Sequence, residues 1–506
     1  MMRRYLLLLG FLTLVGCASQ PPNGSASTRF ADYVASPPLL RAFLYRMPKG
    51  GDLHNHLSGA AYAEANIRAG ASRGMCVHPV AATVGEPPCV APMRPLSDAL
   101  RDAGLNKTLV NAWSMRDFIP TNGNSGHDHF FAAFSRFGGV AKPSDMAAEV
   151  VDRAGRQRMR YVELMITFQG KAVADLTEKV LKTTPWTDNP AAFEAALMAA
   201  GLPAVVEAAK RDIDSLERQM RANMGCGTAT AGSGCGVVVR WLQQVTRTSA
   251  RPRVFAASLF GMLLAKADQR VVGIDFVAPE DNPVALADYT AQMRMLDYLH
   301  GRMPQANVSL HAGELTLGLV RPEDLLFHIR QAVELGHAKR IGHGVDVMYE
   351  EDAFGLLRDM ARRRVAVEVN LTSNAQILGV SGADHPFPVY LAAGVPVVLS
   401  TDDEGIERID RTHELQRAVM TYGLGWDALI ALERNTLEYA FVTGASLWAD
   451  PPTWRRVEAC AGASVLEPES GACAAYLKTN LKASLQWSLE RDLALFDREA
   501  DTLRPR

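Results

Sequence analysis

His311-Ala312-Gly313-Glu314 closes the short β-type run Asn307-Val308-Ser309-Leu310. Residues three apart on one strand point to opposite faces. The histidine and the glutamate can serve one site only if the strand stops and the chain bends, which Gly313 permits. Three further groups carry similar chemistry. His54 and His56 are two apart, the spacing that puts both rings on one face of a strand. His343 is bracketed by Gly342 and Gly344, which points to close approach of the backbone to a ligand. The apolar run from Pro396 ends in Thr401-Asp402-Asp403, adjacent carboxylates that need solvent, a cation or a helix N-terminus. Three histidines and one of the two adjacent aspartates suit zinc, which takes N, O and S donors. A zinc site with one open position lowers the pKa of water to about 7. Glu314 and His343 are left as proton handlers beside it.

Such a site needs elements that bring distant residues together. Short β-branched runs recur at 52–56, 161–167, 237–243, 271–276, 308–311, 340–341, 365–370 and 397–401. Between them, stretches such as 143–158, 283–302 and 322–335 have helical periodicity. Eight strands alternating with helices predict an α/β fold with a parallel sheet, read as a (β/α)8 barrel of the TIM type. In a barrel the C-terminal strand ends meet at one face, so all the candidate residues converge there. A doubly wound open sheet is the alternative, but no Gly-rich phosphate loop follows the first strand. The segment 30–46 reads as one or two short N-terminal helices, 426–448 as helical, and 475–502 as one long amphipathic helix.

The N-terminus reads as an export signal. Arg3 and Arg4 precede an apolar run, and Leu14-Val15-Gly16-Cys17 ends it in the manner of a bacterial lipobox. The expected plan is a lipoprotein signal peptide over 1–17 with lipidation at Cys17. A Ser/Pro/Gly-rich tether over 18–28 follows, then a zinc-dependent barrel over 29–450 and a helical extension over 451–506. The expected location is the outer membrane of a Gram-negative bacterium, with the domain facing periplasm or exterior. The other six cysteines form local pairs around turn-rich segments. Cys76 is expected to join Cys89, Cys226 to join Cys235, and Cys460 to join Cys473, since export favours disulfides. Formal net charge is −2 and no basic block appears, which argues against a nucleic-acid partner.

The motifs His-x-His, His-Ala-Gly-Glu, Gly-His-Gly and Ser-Thr-Asp-Asp occur in this order in the adenosine deaminase family of metal-dependent amidohydrolases, which the chain resembles over about 40–450. The run from Arg46 to His54 looks closer still to the secreted, growth-factor-like branch. Further echoes are Val271-Val272-Gly273-Ile274-Asp275, Thr372-Ser373-Asn374, His385-Pro386 and 435–441. The resemblance implies one zinc per chain held by His54, His56, His311 and Asp402. Glu314 would protonate purine N1, and His343 would orient or deprotonate the attacking water. Asp403 would bond N7, and adenosine would become inosine and ammonia. The expected partner is thus a small purine nucleoside. Three positions depart from the pattern. Ser58 stands where many cytosolic members have a ribose-binding aspartate. Ala278 stands where a glycine offers its N–H to the purine, and Glu404 replaces a common proline. These leave room for a modified adenosine, or for a related amidohydrolase acting on a different amino-heterocycle. A catalytically silent binding lipoprotein would be expected to lack Glu314 or a ligand.

Overall fold

The computed structural model describes residues 25–500. Cys17, the signal segment and most of the tether lie outside that range. Eight strands form one parallel sheet in sequential order: β1 (Lys49–His56), β2 (Met159–Ile166), β3 (Val238–Thr246), β4 (Val271–Val277), β5 (Val308–Ala312), β6 (Arg340–His343), β7 (Ala366–Val369) and β8 (Val397–Leu399). Parallel strands between helices are buried on both faces, which is why they read as apolar runs without alternation. The ring closes where β1 meets the end of β8, through a bridge between Asn55 and Asp402. There the His56 N–H donates to the Asp402 carbonyl (3.0 Å) and the Asp402 N–H to the His54 carbonyl (2.9 Å). The expected barrel is therefore present, and its seam is made by residues of the candidate site.

Each predicted strand is found, with ends shifted by one to three residues. The helical stretches needed more correction. Of the tether expected over 18–28, residues 26–28 instead belong to a helix over Ala26–Tyr33 capped by Ser25. The Ala26 N–H donates to Asp497 Oδ1 (2.7 Å), tying that helix to the C-terminal one. The helix expected over 426–448 ends at Glu438. The next residues pass beneath the barrel, where the Phe441 N–H donates to Glu163 Oε1 (2.7 Å) and the Phe441 ring stacks on Arg340. Trp448 lies instead in a short strand paired with Arg455–Arg456. The predicted long helix over 475–502 is two helices, Gly471–Thr479 and Leu481–Glu499. Asn480 breaks it because its side chain accepts from the Ala445 N–H (2.8 Å) where the chain crosses close to Gly444. Likewise 322–335 is a 3-10 turn over Pro322–Leu325 followed by a helix over His328–Glu334.

The C-terminal helix covers the N-terminal end of the barrel, with Leu485 and Leu489 packed against Leu53, Tyr161 and Val398. At the opposite end, 63–141 forms a small unit with its own core that packs on Ile377 and Ile406 of the loops above the strands. All three expected disulfides are present, Cys76–Cys89, Cys226–Cys235 and Cys460–Cys473. No single helix among the described residues is long and apolar enough to cross a membrane.

Candidate active site

His54 and His56, near the end of β1, both point into the barrel mouth. Their Nε2 atoms lie 3.5 and 3.2 Å from Asp402 Oδ1. His311 on β5 brings its Nε2 to 3.0 Å from that of His56. These four residues offer ligand atoms all within 4.8 Å of one another, and all four are buried. His54 Nε2 has no hydrogen-bond partner. A buried imidazole nitrogen without a partner is costly unless an ion or solvent meets it. Three nitrogens and a carboxylate oxygen at this spacing fit a divalent cation, zinc among them.

Partners not anticipated from the sequence hold the ligands in place. Glu368 Oε2 accepts from His54 Nδ1 (2.8 Å), and Asp275 Oδ1 from His311 Nδ1 (2.8 Å). The Gln244 amide lies 3.1 Å from His56 Nδ1. A carboxylate on Nδ1 leaves the Nε2 lone pair facing a metal and makes the ring more basic. Glu368 is itself held by the Ser309 hydroxyl (3.2 Å) and by an ion pair with Arg340, which also reaches Glu163 (2.5 Å). The signal for Glu368 was in the sequence. It is a lone carboxylate inside the apolar run Ala-Val-Glu-Val, a place where a charge needs a partner.

His343 ends β6 with a left-handed φ of 67°, and Asp402 has φ 56°. Such backbone in non-glycine residues stores strain, which clusters at functional sites. The glycines beside His343 make room. A side chain at Gly342 would meet the His54 ring, and one at Gly344 would meet the Tyr390 hydroxyl. The close approach is thus to the His54 ring and the Tyr390 hydroxyl, not to a ligand as expected from this bracket. His343 Nε2 lies 3.7 Å from Asp402 Oδ2, and Nδ1 lies 3.7 Å from Glu314 Oε1. Gly313 takes φ 74° and turns Glu314 back toward the histidines, as the opening motif requires. The turn is clamped by Glu280, whose carboxylate accepts the Gly313 N–H (3.2 Å) and the Glu314 N–H (2.9 Å). Burial, with Asp402 and Glu280 nearby, holds the Glu314 carboxyl well above the usual carboxylate range. It is therefore set up as an acid.

These groups form the floor of a cavity of about 380 Å³. Asp403, Ser58 and Ala278 line it. Asp403 is buried, and its Oδ1 has no hydrogen-bond partner. Ala278 has φ 81°. The walls are mainly apolar, with Phe130, Phe131 and Phe134 from the helix Gly126–Phe137, together with Ile377, Val277 and Pro279. That helix had no part in the expected site. Among the described residues, no lysine or arginine lines the cavity.

The adenosine deaminase family model matches residues 128–446. The adenosine deaminase of Salmonella typhimurium strain LT2 is 36% identical over 138 residues, 27% of this chain and 38% of its own. That of Mycobacterium ulcerans is 28% identical over 223 residues, 42% of this chain and 57% of its own. The matched regions thus span less than two thirds of these relatives. In structure, the N6-methyl-AMP deaminase of Arabidopsis thaliana superposes with a TM-score of 0.50 at 18% identity, covering 79% of this chain and 94% of its own. At that identity the likeness speaks for the fold.

Proposed function

The chain belongs to the adenosine deaminase family, and on that premise we propose that it removes the 6-amino group of a neutral aminopurine nucleoside, adenosine first, by hydrolysis to inosine and ammonia. The observation that carries this reading is the pairing of a candidate metal-ligand group with the buried Glu314 on the floor of a cavity that no lysine or arginine lines among the described residues. A nucleotide would bring a phosphate that no side chain there could neutralise, and the buried carboxylates would repel it. An uncharged nucleoside meets no such penalty, and its flat base suits the phenylalanine face.

His54, His56, His311 and Asp402 would hold the ion, one per chain, and zinc is the metal this donor set fits. When bound, zinc supplies a Lewis acid that lowers the pKa of water to about 7. The rest falls to side chains. Glu314 gives its proton to the ring nitrogen N1, which makes C6 electrophilic. His343 holds the attacking oxygen against C6. Asp403, protonated in its buried setting, donates to N7. Burial, with Asp402 beside it, pushes the Asp403 carboxyl well up, which is consistent with that role. Ser58 offers a short hydroxyl at the sugar end, and Ala278 its main-chain N–H. The walls of phenylalanine and isoleucine keep bulk water from the acid.

Turnover of adenosine, 2′-deoxyadenosine, 5′-methylthioadenosine, adenine, guanine and AMP, followed by ultraviolet absorbance, tests the reading. Adenosine or a neutral derivative should lead, and AMP should trail by at least ~100-fold. Metal-replete protein that deaminates none of them would end it. We infer further that the enzyme works outside the cytoplasm on a lipid anchor at Cys17. Three disulfides in the fold support an oxidising compartment. Cys17→Ser should release the protein from membranes, and unchanged membrane association would argue against the anchor.

A further inference from the structure

Behind His343, on the side away from the cavity, a chain of hydrogen bonds runs through two residues that do not line the cavity. Asn374 Nδ2 lies 2.9 Å from His343 Nδ1, Asn374 Oδ1 lies 2.9 Å from His385 Nε2, and the Phe387 N–H donates to His385 Nδ1 (3.0 Å). All of these residues are buried. A side-chain amide and an imidazole can each be turned to donate or accept, so hydrogen-bond direction is usually a choice. Here it is fixed, because the last donor is a main-chain N–H and cannot accept.

The direction follows in three steps. The Phe387 N–H occupies the lone pair of His385 Nδ1, so the single proton of a neutral His385 ring is on Nε2. That Nε2–H needs an acceptor, which places the oxygen of Asn374 toward His385 and its NH2 toward His343. The Asn374 NH2 then donates to His343 Nδ1, so the proton of His343 is on Nε2. The opposite direction would leave His385 accepting at both nitrogens, a ring with no proton at all. Burial, together with Arg417, pushes His385 down to about 4, which agrees with a neutral ring. His343 Nε2 has no hydrogen-bond partner among the described residues and lies 3.7 Å from Asp402 Oδ2, on the side of the candidate metal ligands.

We propose that Asn374 and His385 are positioning residues that lock His343 as the Nε2–H tautomer, so that it meets the reacting oxygen as a hydrogen-bond donor and not as a base. The proposal rests on the deaminase reading of the site. A base role would require the proton on Nδ1, hence a flipped Asn374 and two N–H groups facing each other at His385. The proton of the attacking water then has a carboxylate as its acceptor. Glu314 gives its proton to N1, takes one from the water as the carboxylate so formed, passes it to the departing amine, and recovers its own from the C6 hydroxyl as the carbonyl forms and ammonia leaves. His343 neither gains nor loses a proton.

Long-range 1H–15N spectra of the full-length, zinc-loaded protein with 15N-labelled histidine read the tautomer directly, the His343 signals being identified by their loss in His343→Gln. The wild type should show His343 protonated at Nε2. Asn374→Asp, whose carboxylate can only accept, should move the proton to Nδ1, lowering kcat at least about tenfold with KM changed less than about twofold and zinc content intact. His385→Gln keeps a donor toward Asn374 and should stay near wild type, whereas His385→Leu should behave like Asn374→Asp and serves if that variant does not fold. An Nδ1–H tautomer in the wild type, or unchanged tautomer and kcat in both variants, would overturn the proposal. If no aminopurine is turned over, the deaminase reading falls while the spectra still decide the relay.

Discussion

Glu368 Oε2 stands 2.8 Å from His54 Nδ1, and the same carboxylate is held by the Ser309 hydroxyl and, through Oε1, by Arg340 inside the barrel. The carboxylate does for His54 what Asp275 does for His311. Replacing a partner of this kind costs about 10–100-fold in metal affinity or activity. Glu368→Gln keeps the shape but weakens the acceptor. It should lose metal to a chelator at least tenfold more readily than wild type while adenosine KM, measured in excess zinc, stays close. Unchanged metal retention would remove Glu368 from that role.

Glu314→Gln should keep the metal and lose at least ~100-fold in kcat, the scale of a general acid. Glu314 acts in its protonated form, and burial beside Asp402 and Glu280 raises its pKa. The acid is therefore present below that raised pKa and lost as pH rises through it. The pH profile of kcat/KM should fall on its alkaline side, and the variant's residual activity should lack that limb.

Ala278 carries a left-handed φ of 81°, which an L side chain adopts at a cost of about 1 kcal/mol or more. Ala278→Gly should raise stability by about that amount in denaturant melts. A destabilised variant would mean that the methyl group packs more than it strains.

Lys49 is fully buried and its ammonium donates to the carbonyls of Leu44, Met47 and Gln157. It ties the end of the helix Pro37–Arg46 to the foot of β1. Lys49→Met leaves these buried acceptors short of a donor and should cost about 2–3 kcal/mol, read from the denaturation midpoint. Equal stability would show that solvent replaces the ammonium.

The Cys460–Cys473 bond encloses 13 residues of sequence separation and packs with Trp448 and Trp487. A loop of this size contributes about 3 kcal/mol. Cys460→Ser with Cys473→Ser should lower the melting temperature and leave kcat within about twofold, because this loop lies outside the cavity lining. Mass spectrometry of non-reduced peptides checks all three pairings.

Most strands were legible as short apolar runs, β1 and β6 instead by their histidines and glycines, and the candidate ligands because His-x-His, His-Ala-Gly-Glu and Thr-Asp-Asp sit at strand ends. Glu368 and Asp275 were visible as residues but not as partners. Their roles depend on which ring lies across from them once the barrel closes, a relation between strands far apart in sequence. The Gly126–Phe137 helix escaped because its phenylalanines face a cavity built largely by other elements. Asn480 was hidden for a similar reason. It breaks a good amphipathic pattern to satisfy the main chain of Ala445, and local periodicity carries no trace of that contact.

The seam between β1 and β8 gives Asp402 two jobs that a mutation cannot separate cleanly. Its side chain is a proposed ligand, and its peptide N–H and carbonyl stitch the first strand to the last. Its backbone also sits at φ 56°, a conformation that Asp and Asn tolerate better than Ala. An alanine there would loosen the hoop as well as empty a coordination position, and lost activity would be credited wholly to the metal. Asp402→Asn keeps the backbone preference and changes only the charge. The comparison of the two tells how far the barrel stays round by virtue of the residues that work inside it.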